Sequence, residues 1–355
     1  MVVGGIIAKF ARNQTNTIQR RIMIKTGIIG GHTLAAGELI RILVNHPDVT
    51  ITWVSSPQEA GRKLTAVHRG LEGDTDAAFI GAPAASEAET LDAVFLCGEQ
   101  WEARQFMELA GNAPDLRVID LTGAFRDGSA EMVYGLAEHN RKALVRGAKR
   151  ASLPSEVAMA AELALFPLAK NMMLYGDIEL KASLASTVRE HGAAAASEGD
   201  LAELSTRRDP VAPAENRPDA ETAGIEITKA MRSVQPSFAG EARVSLSRDG
   251  LAARGIKVTA AVDCPQPLSE LHRVFNEAYD DHSFTFLIDR EPELADAANT
   301  NKCLLHIRRA ENGMVEISSV IDNLLKGAAG NAVHCMNLLF GLSEKTGLAL
   351  KGSAF

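Results

Sequence analysis

Residues 23–43, MIKTGIIGGHTLAAGELIRIL, constrain the fold more than any other stretch of the chain. Met23 to Ile29 is a short apolar run rich in β-branched side chains, the pattern of a parallel strand buried on both faces. Gly30 and Gly31 interrupt it. From Leu34 onward, Leu39, Ile40, Leu43 and Val44 recur at helical spacing. Strand, glycine turn and helix form the first unit of a dinucleotide-binding fold, whose turn approaches a pyrophosphate resting on the helix N-terminus. The turn departs from the full pattern. Glycines at three-residue intervals would fall at 30, 33 and 36, and the chain has Gly30, Thr33 and Ala36, with an offset Gly37. If position 33 needed a positive φ, threonine there would cost roughly 1–2 kcal/mol. The competing reading of these residues is an α/β first unit that holds no ligand.

The 355 residues, 46% of them hydrophobic, suffice for two domains with buried cores. A net charge of −8 without a sizeable basic cluster argues against nucleic acid or an anionic membrane as partner. Four cysteines without paired spacing suit the reduced thiols of a cytoplasmic protein. No C-x-x-C or H-E-x-x-H pattern points to a metal. Residues 1–22 read as a leader outside the fold, either disordered or the product of an upstream start, because Met23 directly precedes the first strand. Their apolar run is too short to span a bilayer and no basic residues precede it.

Val49–Ser55 reads as the second strand. Ser55 and Ser56 follow where such folds meet an adenosine ribose. No acidic residue ends this strand, and Arg62 or Lys63 could meet a 2′-phosphate, favouring NADP over NAD; a solvated basic loop is the alternative. Leu91–Cys97 and Leu116–Leu121 are two further buried strands with an amphipathic helix between them. Cys97 falls at the strand end that faces ligands in such folds, although buried structural thiols are commoner. Ser152–Leu168 opens with a proline turn and continues as an Ala-rich helix. Ser155 suits its N-cap, and Glu156 suits its positive end. Reactive groups could also stand at this helix N-terminus. Asp177–Thr187 is a strand, and residues 188–222 are loop-like, punctuated by Pro210, Pro213 and Pro218. Arg254–Asp263, Phe284–Asp289 and Leu304–Arg308 alternate as a half-exposed antiparallel sheet does, with a helix over Leu268–Tyr279. In Val315–Leu342 a strand ends at Asp322-Asn323, a glycine turn containing Gly327 follows, and a buried apolar helix begins near Ala329. Its N-terminus would offer N–H groups to an anion; a purely structural turn is the alternative.

These stretches carry a resemblance. GIIGG…AGELIRIL at 27–43, RVIDL…FR at 117–126, YGL.E.NR at 134–141, TNKC at 300–303 and IDNLLKGAAGNAVHCMNLLFGL at 321–342 are similar to the N-acetyl-gamma-glutamyl-phosphate reductase family. The resemblance covers Met23 to Phe355. It implies an α/β chain with a Rossmann-type dinucleotide-binding domain and an α+β substrate and dimerisation domain, as in semialdehyde and glyceraldehyde-phosphate dehydrogenases. The expected divisions are 23–150, completed by a C-terminal helix within 328–355, and 151–327. The implied activity is NADPH-dependent reduction of an N-acyl-glutamyl 5-phosphate to the semialdehyde in arginine biosynthesis, by a homo-oligomer. The implied cofactor contacts are Gly27, Gly30, Gly31, Thr33, Ser55, Ser56, Asn323 and Gly327.

The family's reacting groups do not carry over. Its Asn-Pro-Gly-Cys motif aligns with Leu153-Pro154-Ser155-Glu156, so Glu156 stands where the family has its nucleophilic cysteine. Its histidine segment aligns with Glu215-Asn216-Arg217-Pro218, placing Asn216 at the family's acid/base. Its Pro/Ala-His-Gly loop reads Gly98-Glu99-Gln100. A carboxylate attacking an acyl phosphate only exchanges one mixed anhydride for another and supplies no thioester to accept hydride. The leading expectation is therefore a homologue without reductase turnover. It could assemble with an active paralogue or bind an acyl-glutamyl phosphate or related metabolite. The alternatives are an active reductase, and acyl-phosphate hydrolysis with Glu156 as general base.

Overall fold

The computed structural model describes residues 23–111, 113–185, 219–248 and 252–352. The expected leader at 1–22, residue Asn216 and most of the expected loop at 188–222 lie outside them.

Two six-stranded sheets organise the described chain. The first comprises β1 (Ile24–Ile29), β2 (Val49–Ser55), β3 (Ala93–Leu96), β4 (Arg117–Asp120), β5 (Val133–Tyr134) and β6 (Arg150–Ser152). Its order is β2-β1-β3-β4-β6-β5, and each adjacent pair is parallel. The strand order reverses between β1 and β3, where open α/β sheets have their crevice. Helices α1 (Leu34–Leu43), α2 (Ala85–Ala88), α3 (Gln100–Leu109) and α4 (Ala137–Val145) belong to this half. Gly27 and Gly31 pack β1 closely on β2: a Cβ at Gly31 would stand 2.1 Å from Val54 Cγ1, and one at Gly27 would stand 2.6 Å from the Trp53 ring.

The second sheet contains β7 (Ile178–Leu184), β8 (Ala242–Arg248), β9 (Ile256–Val262), β10 (Thr285–Leu287), β11 (Cys303–Arg309) and β12 (Val315–Ile321). Its order is β10-β11-β12-β9-β7-β8. The three central junctions are antiparallel, as the alternation predicts, but β10 pairs with β11 and β7 with β8 in parallel. The sheet is thus mixed. The edge pairs escaped notice because side-chain alternation reports which face is covered and not which way a neighbour runs. Helix α6 (Ala220–Val234) crosses from β7 to β8 and makes that parallel pairing possible. Helices α7 (Leu268–Tyr279) and α8 (Leu294–Ala297) complete this half.

Helix α5 (Glu156–Lys170) joins the two halves and is buried without a break from Val157 to Ala169. Its many alanines allow neighbours to approach on every side. Pro167 lies inside it and cannot donate to the Leu163 carbonyl. The Tyr279 hydroxyl donates to that oxygen instead, at 2.6 Å.

After β12 the chain returns to the first sheet. The sequence suggests a glycine turn and a helix from near Ala329. The structure instead has a π-helical turn, Leu325–Ala329, running directly into α9 (Gly330–Leu339). The Asp322 carboxylate causes the earlier start by accepting from the N–H groups of Leu324 and Leu325 at 2.9 and 3.0 Å. These N–H groups are therefore not free for an anion. The same carboxylate receives Arg254 through Nε at 2.9 Å and Nη2 at 3.0 Å, and the Asn299 N–H at 2.7 Å. Arg254 also reaches Glu38 of α1 at 2.7 Å, tying the halves together.

The π turn places Lys326 in the interior, where its ammonium donates to Glu138 Oε1 at 2.7 Å with both side chains buried. Burial pushes the Glu138 carboxyl up, but Lys326 and then His334 outweigh it and hold it down to about 2. Breaking such a pair leaves an uncompensated buried charge. Lys326→Met is expected to cost about 3–5 kcal/mol in urea unfolding, with most of the loss returned by adding Glu138→Gln. Equal stability of the single variant and the wild type would contradict this account.

Candidate active-site cleft

The cleft lies at the carboxyl edge of the first sheet, where four segments meet. Leu34 and Ala35 come from the start of α1, Cys97 from the end of β3, Arg126 from the turn after β4, and Leu153 to Glu156 from the entry to α5. Leu324, Gly327 and Ala328 close it from the π-helical side. The cavity measures about 50 Å³, enough for a water or two.

Buried Asp120 positions the central wall. It accepts from Thr122 N–H and Oγ at 2.8 and 2.6 Å, from Ser152 Oγ at 2.7 Å and from Phe125 N–H at 3.3 Å. This locks the turn that carries Arg126 beside the β6 end. Arg126 Nε then donates to the Leu153 carbonyl at 2.8 Å.

Glu156 is the first residue of α5 and is partly buried. Its aliphatic stem rests against Gly327, where a Cβ would come within 3.4 Å of Glu156 Cγ. Among the described residues its carboxyl has no hydrogen-bond partner. Burial is the largest influence on it and pushes it up to about 8; Arg126 opposes and Asp322 adds to the rise. At neutral pH Glu156 is therefore mostly a neutral acid, with a proton available near the working range of an acid/base group.

Ser155 takes the extended conformation of an N-cap, yet its side chain does not cap. It donates through Oγ to Glu226 Oε2 at 2.6 Å and through its backbone N–H to Glu226 Oε1 at 3.0 Å. The Tyr134 hydroxyl lies 2.9 Å from Glu226 Oε1 and 2.7 Å from Glu162 Oε1. A phenol has one proton, so one of these contacts must be donated by a carboxyl. Glu162 is fully buried, and burial, then Glu226, drives its carboxyl well above the usual range. It is the protonated partner. Glu226, 3.7 Å from Arg126 Nε, is the carboxyl that holds Ser155.

None of the four thiols takes the place of a nucleophile at Glu156. All are buried and free of disulfides. Cys97 touches the cleft but packs into the hydrophobic core, where burial and then Asp120 push its thiol far up. Burial pushes Cys303 and Cys335 each up to about 12. Cys264 is also raised by burial and donates to Gln266. A thiol held this high supplies negligible thiolate at neutral pH.

At the β1–α1 turn only Gly30 adopts a left-handed φ, +72°, and it abuts the Gly98 backbone, 2.1 Å from where its Cβ would stand. Thr33 has φ −76°, so the strain considered for it does not arise. Its Oγ accepts the Ala36 N–H at 3.2 Å and caps α1. Ser55 donates to the Gly81 carbonyl at 2.8 Å, and Ser56 Oγ lies 3.2 Å from His32 Nδ1. Arg62 pairs with Glu59, and Lys63 with Asp76. Asn323 Oδ1 accepts the Gly255 N–H at 2.8 Å, binding the return strand to β9. The structure thus gathers Glu156, Thr33 and Gly327 at or beside the cleft, with Ser55 and Ser56 farther along the sheet edge. Arg126, Glu226, Glu162 and Tyr134 had no signal in the sequence as a group, because their contacts join distant parts of the chain, with 92 residues between Tyr134 and Glu226.

A parallel dinucleotide-type sheet, a mixed second sheet and a cleft at the helix between them define the semialdehyde dehydrogenase class. Residues 25–146 match the profile of the semialdehyde dehydrogenase NAD-binding domain, and residues 157–323 match that of its dimerisation domain. Aspartate semialdehyde dehydrogenase II from Vibrio cholerae superposes with a TM-score of 0.65 at 15% identity, covering 90% of this chain and 99% of that one. An aspartate-semialdehyde dehydrogenase from Pseudomonas aeruginosa, described as probable, gives 0.62 at 19%, covering 90% and 98%. Within the class, the chain belongs to the N-acetyl-gamma-glutamyl-phosphate reductase family. It is 40% identical over 335 residues to that reductase from Parabacteroides distasonis and 39% identical to the one from Phocaeicola vulgatus. Each match covers 94% of this chain and 100% of the relative.

The Glu156 carboxyl gives stability a defined pH dependence. Between its unfolded value near 4.5 and its folded value of about 8, the folded state holds a proton that the unfolded state releases. Stability from this group is therefore lost as pH rises through that window, at a limiting slope of about 1.4 kcal/mol per pH unit. Glu156→Gln is expected to be more stable than wild type at pH 8 and to match it near pH 4.5 in denaturant titrations. A gap that is constant with pH would contradict the assignment.

Proposed function

We propose that this chain is a non-reducing member of its family, retaining the reductase fold and cleft without the covalent step. The observation that carries the reading is the Glu156 carboxyl in the cleft where the family places its cysteine, with all four thiols buried and protonated. A thioester can accept hydride; an anhydride formed by a carboxyl offers no comparable route. Glu156 is also mostly neutral at neutral pH, which makes it a weaker nucleophile still. The ligand class is an N-acyl-glutamyl 5-phosphate or a related metabolite, with Arg126 as the cleft's cation. The match to a dimerisation domain supports a homo-oligomer, and the same surface would serve assembly with an active paralogue. Four unpaired thiols suit the reducing cytoplasm.

One observation favours a second reading, hydrolysis of the acyl phosphate. With its carboxyl at about 8 and no hydrogen-bond partner among the described residues, Glu156 in its ionised form, the minor one at neutral pH, is basic enough to accept a proton from water.

One assay addresses both. Purified protein is mixed with NADPH and N-acetyl-glutamyl 5-phosphate, and nucleotide oxidation and phosphate release are followed together against an active reductase. We expect no NADPH oxidation above the blank; oxidation at the control's rate would contradict the proposal. Phosphate release without oxidation that disappears in Glu156→Gln would establish the hydrolytic reading.

A further inference from the structure

The β1–α1 turn keeps the shape of a pyrophosphate site, but the chain's own oxygens surround it. Gly30 and Gly98 bring the two loops that would flank a phosphate into backbone contact. Glu102, in the first turn of α3, folds back over this junction. Its Oε2 accepts the Glu99 N–H at 2.8 Å and lies 2.0 Å from where a Cβ on Gly98 would stand. Burial pushes its carboxyl up and His32, within the turn itself, opposes that rise; the Glu99 N–H that it accepts favours the charged form. Glu102 is buried, and among the described residues no cation forms an ion pair with it. On the opposite side of the turn, Thr33 Oγ occupies the Ala36 N–H, one of the first-turn donors of α1 that a phosphate oxygen would use. Arg62 and Lys63 pair with acids and do not counter the carboxyl.

Beyond the junction, a groove of about 310 Å³ runs along Ser55, Pro57, Pro83, Trp101 and Phe106. Space for a nucleoside therefore exists, and Glu102 stands where that groove meets the phosphate position. Neither desolvation of the doubly charged pyrophosphate nor its repulsion by a buried carboxylate is offset by a local cation.

We infer that Glu102 acts as an internal anion that excludes the pyrophosphate of a nicotinamide dinucleotide from this turn. The inference rests on the family reading only in naming the dinucleotide that the fold would hold. It concerns binding, and it stands or falls separately from the loss of the covalent step.

The test is equilibrium titration of the full chain with NADPH, followed by nucleotide fluorescence and calorimetry, for wild type, Glu102→Gln and Glu311→Gln. Glu102→Gln keeps an oxygen for the Glu99 N–H. Glu311 is exposed between β11 and β12 of the second sheet, so its variant removes the same charge away from the turn and the groove. We expect no saturation of wild type or Glu311→Gln up to about 1 mM, and at least about tenfold tighter binding by Glu102→Gln. Micromolar binding by wild type would overturn the inference. So would equal behaviour of wild type and Glu102→Gln, including no binding by either. Wild-type binding of NADPH with no oxidation once N-acetyl-glutamyl 5-phosphate is added would overturn this inference alone, whereas oxidation on that addition would also overturn the non-reducing assignment.

Discussion

The Asp322 carboxylate is the point on which the arrangement of the two sheets depends. It is fully buried, yet five donors converge on it: two from Arg254, and one each from the backbone at Asn299, Leu324 and Leu325. A buried carboxylate is tolerated only when its lone pairs are this completely satisfied. Through Arg254 it reaches Glu38 on α1, and through Leu324 and Leu325 it starts the π turn two residues after Asn323. That start sets Gly327 against Glu156 and Lys326 against Glu138. The cleft wall, the return helix and the link between halves therefore share one origin.

Within that frame, the cleft holds at the N-terminus of α5 a carboxyl whose proton affinity burial raises. Ser155, beside it, is held by Glu226 rather than left to cap the helix. Glu226 in turn shares Tyr134 with a protonated Glu162. The polar groups around the cleft satisfy one another and fix its shape.

Much of the first sheet was legible. Val49–Ser55 coincides with β2 as read, because a β-branched run buried against β1 has few competing folds. The glycines at 30 and 31 announced a close turn, and the structure gives each a packing reason. The helix at Ser155 was placed from its proline turn and alanine content. Other features left no local trace. Strand β8 was missed because ARVSLSR lies at a half-exposed sheet edge, where alternation is weak. The early helical start after Asn323 depends on a side chain anchored by Arg254, 68 residues away. Glu102 reads as an ordinary first-turn acid on α3, and only the approach of Gly30 to Gly98 gives it a place at the turn. Long-range polar contacts of this kind decide chemistry and are invisible to periodicity.

The central claim is that no group in this cleft can capture an acyl phosphate covalently. Intact-mass spectrometry of the native protein after incubation with N-acetyl-glutamyl 5-phosphate in the absence of nucleotide measures this directly, with an active reductase as control. The account predicts an unmodified chain beside an acylated control. An acyl adduct mapped by peptide digestion to Cys97 or any other cysteine of the folded protein would contradict it.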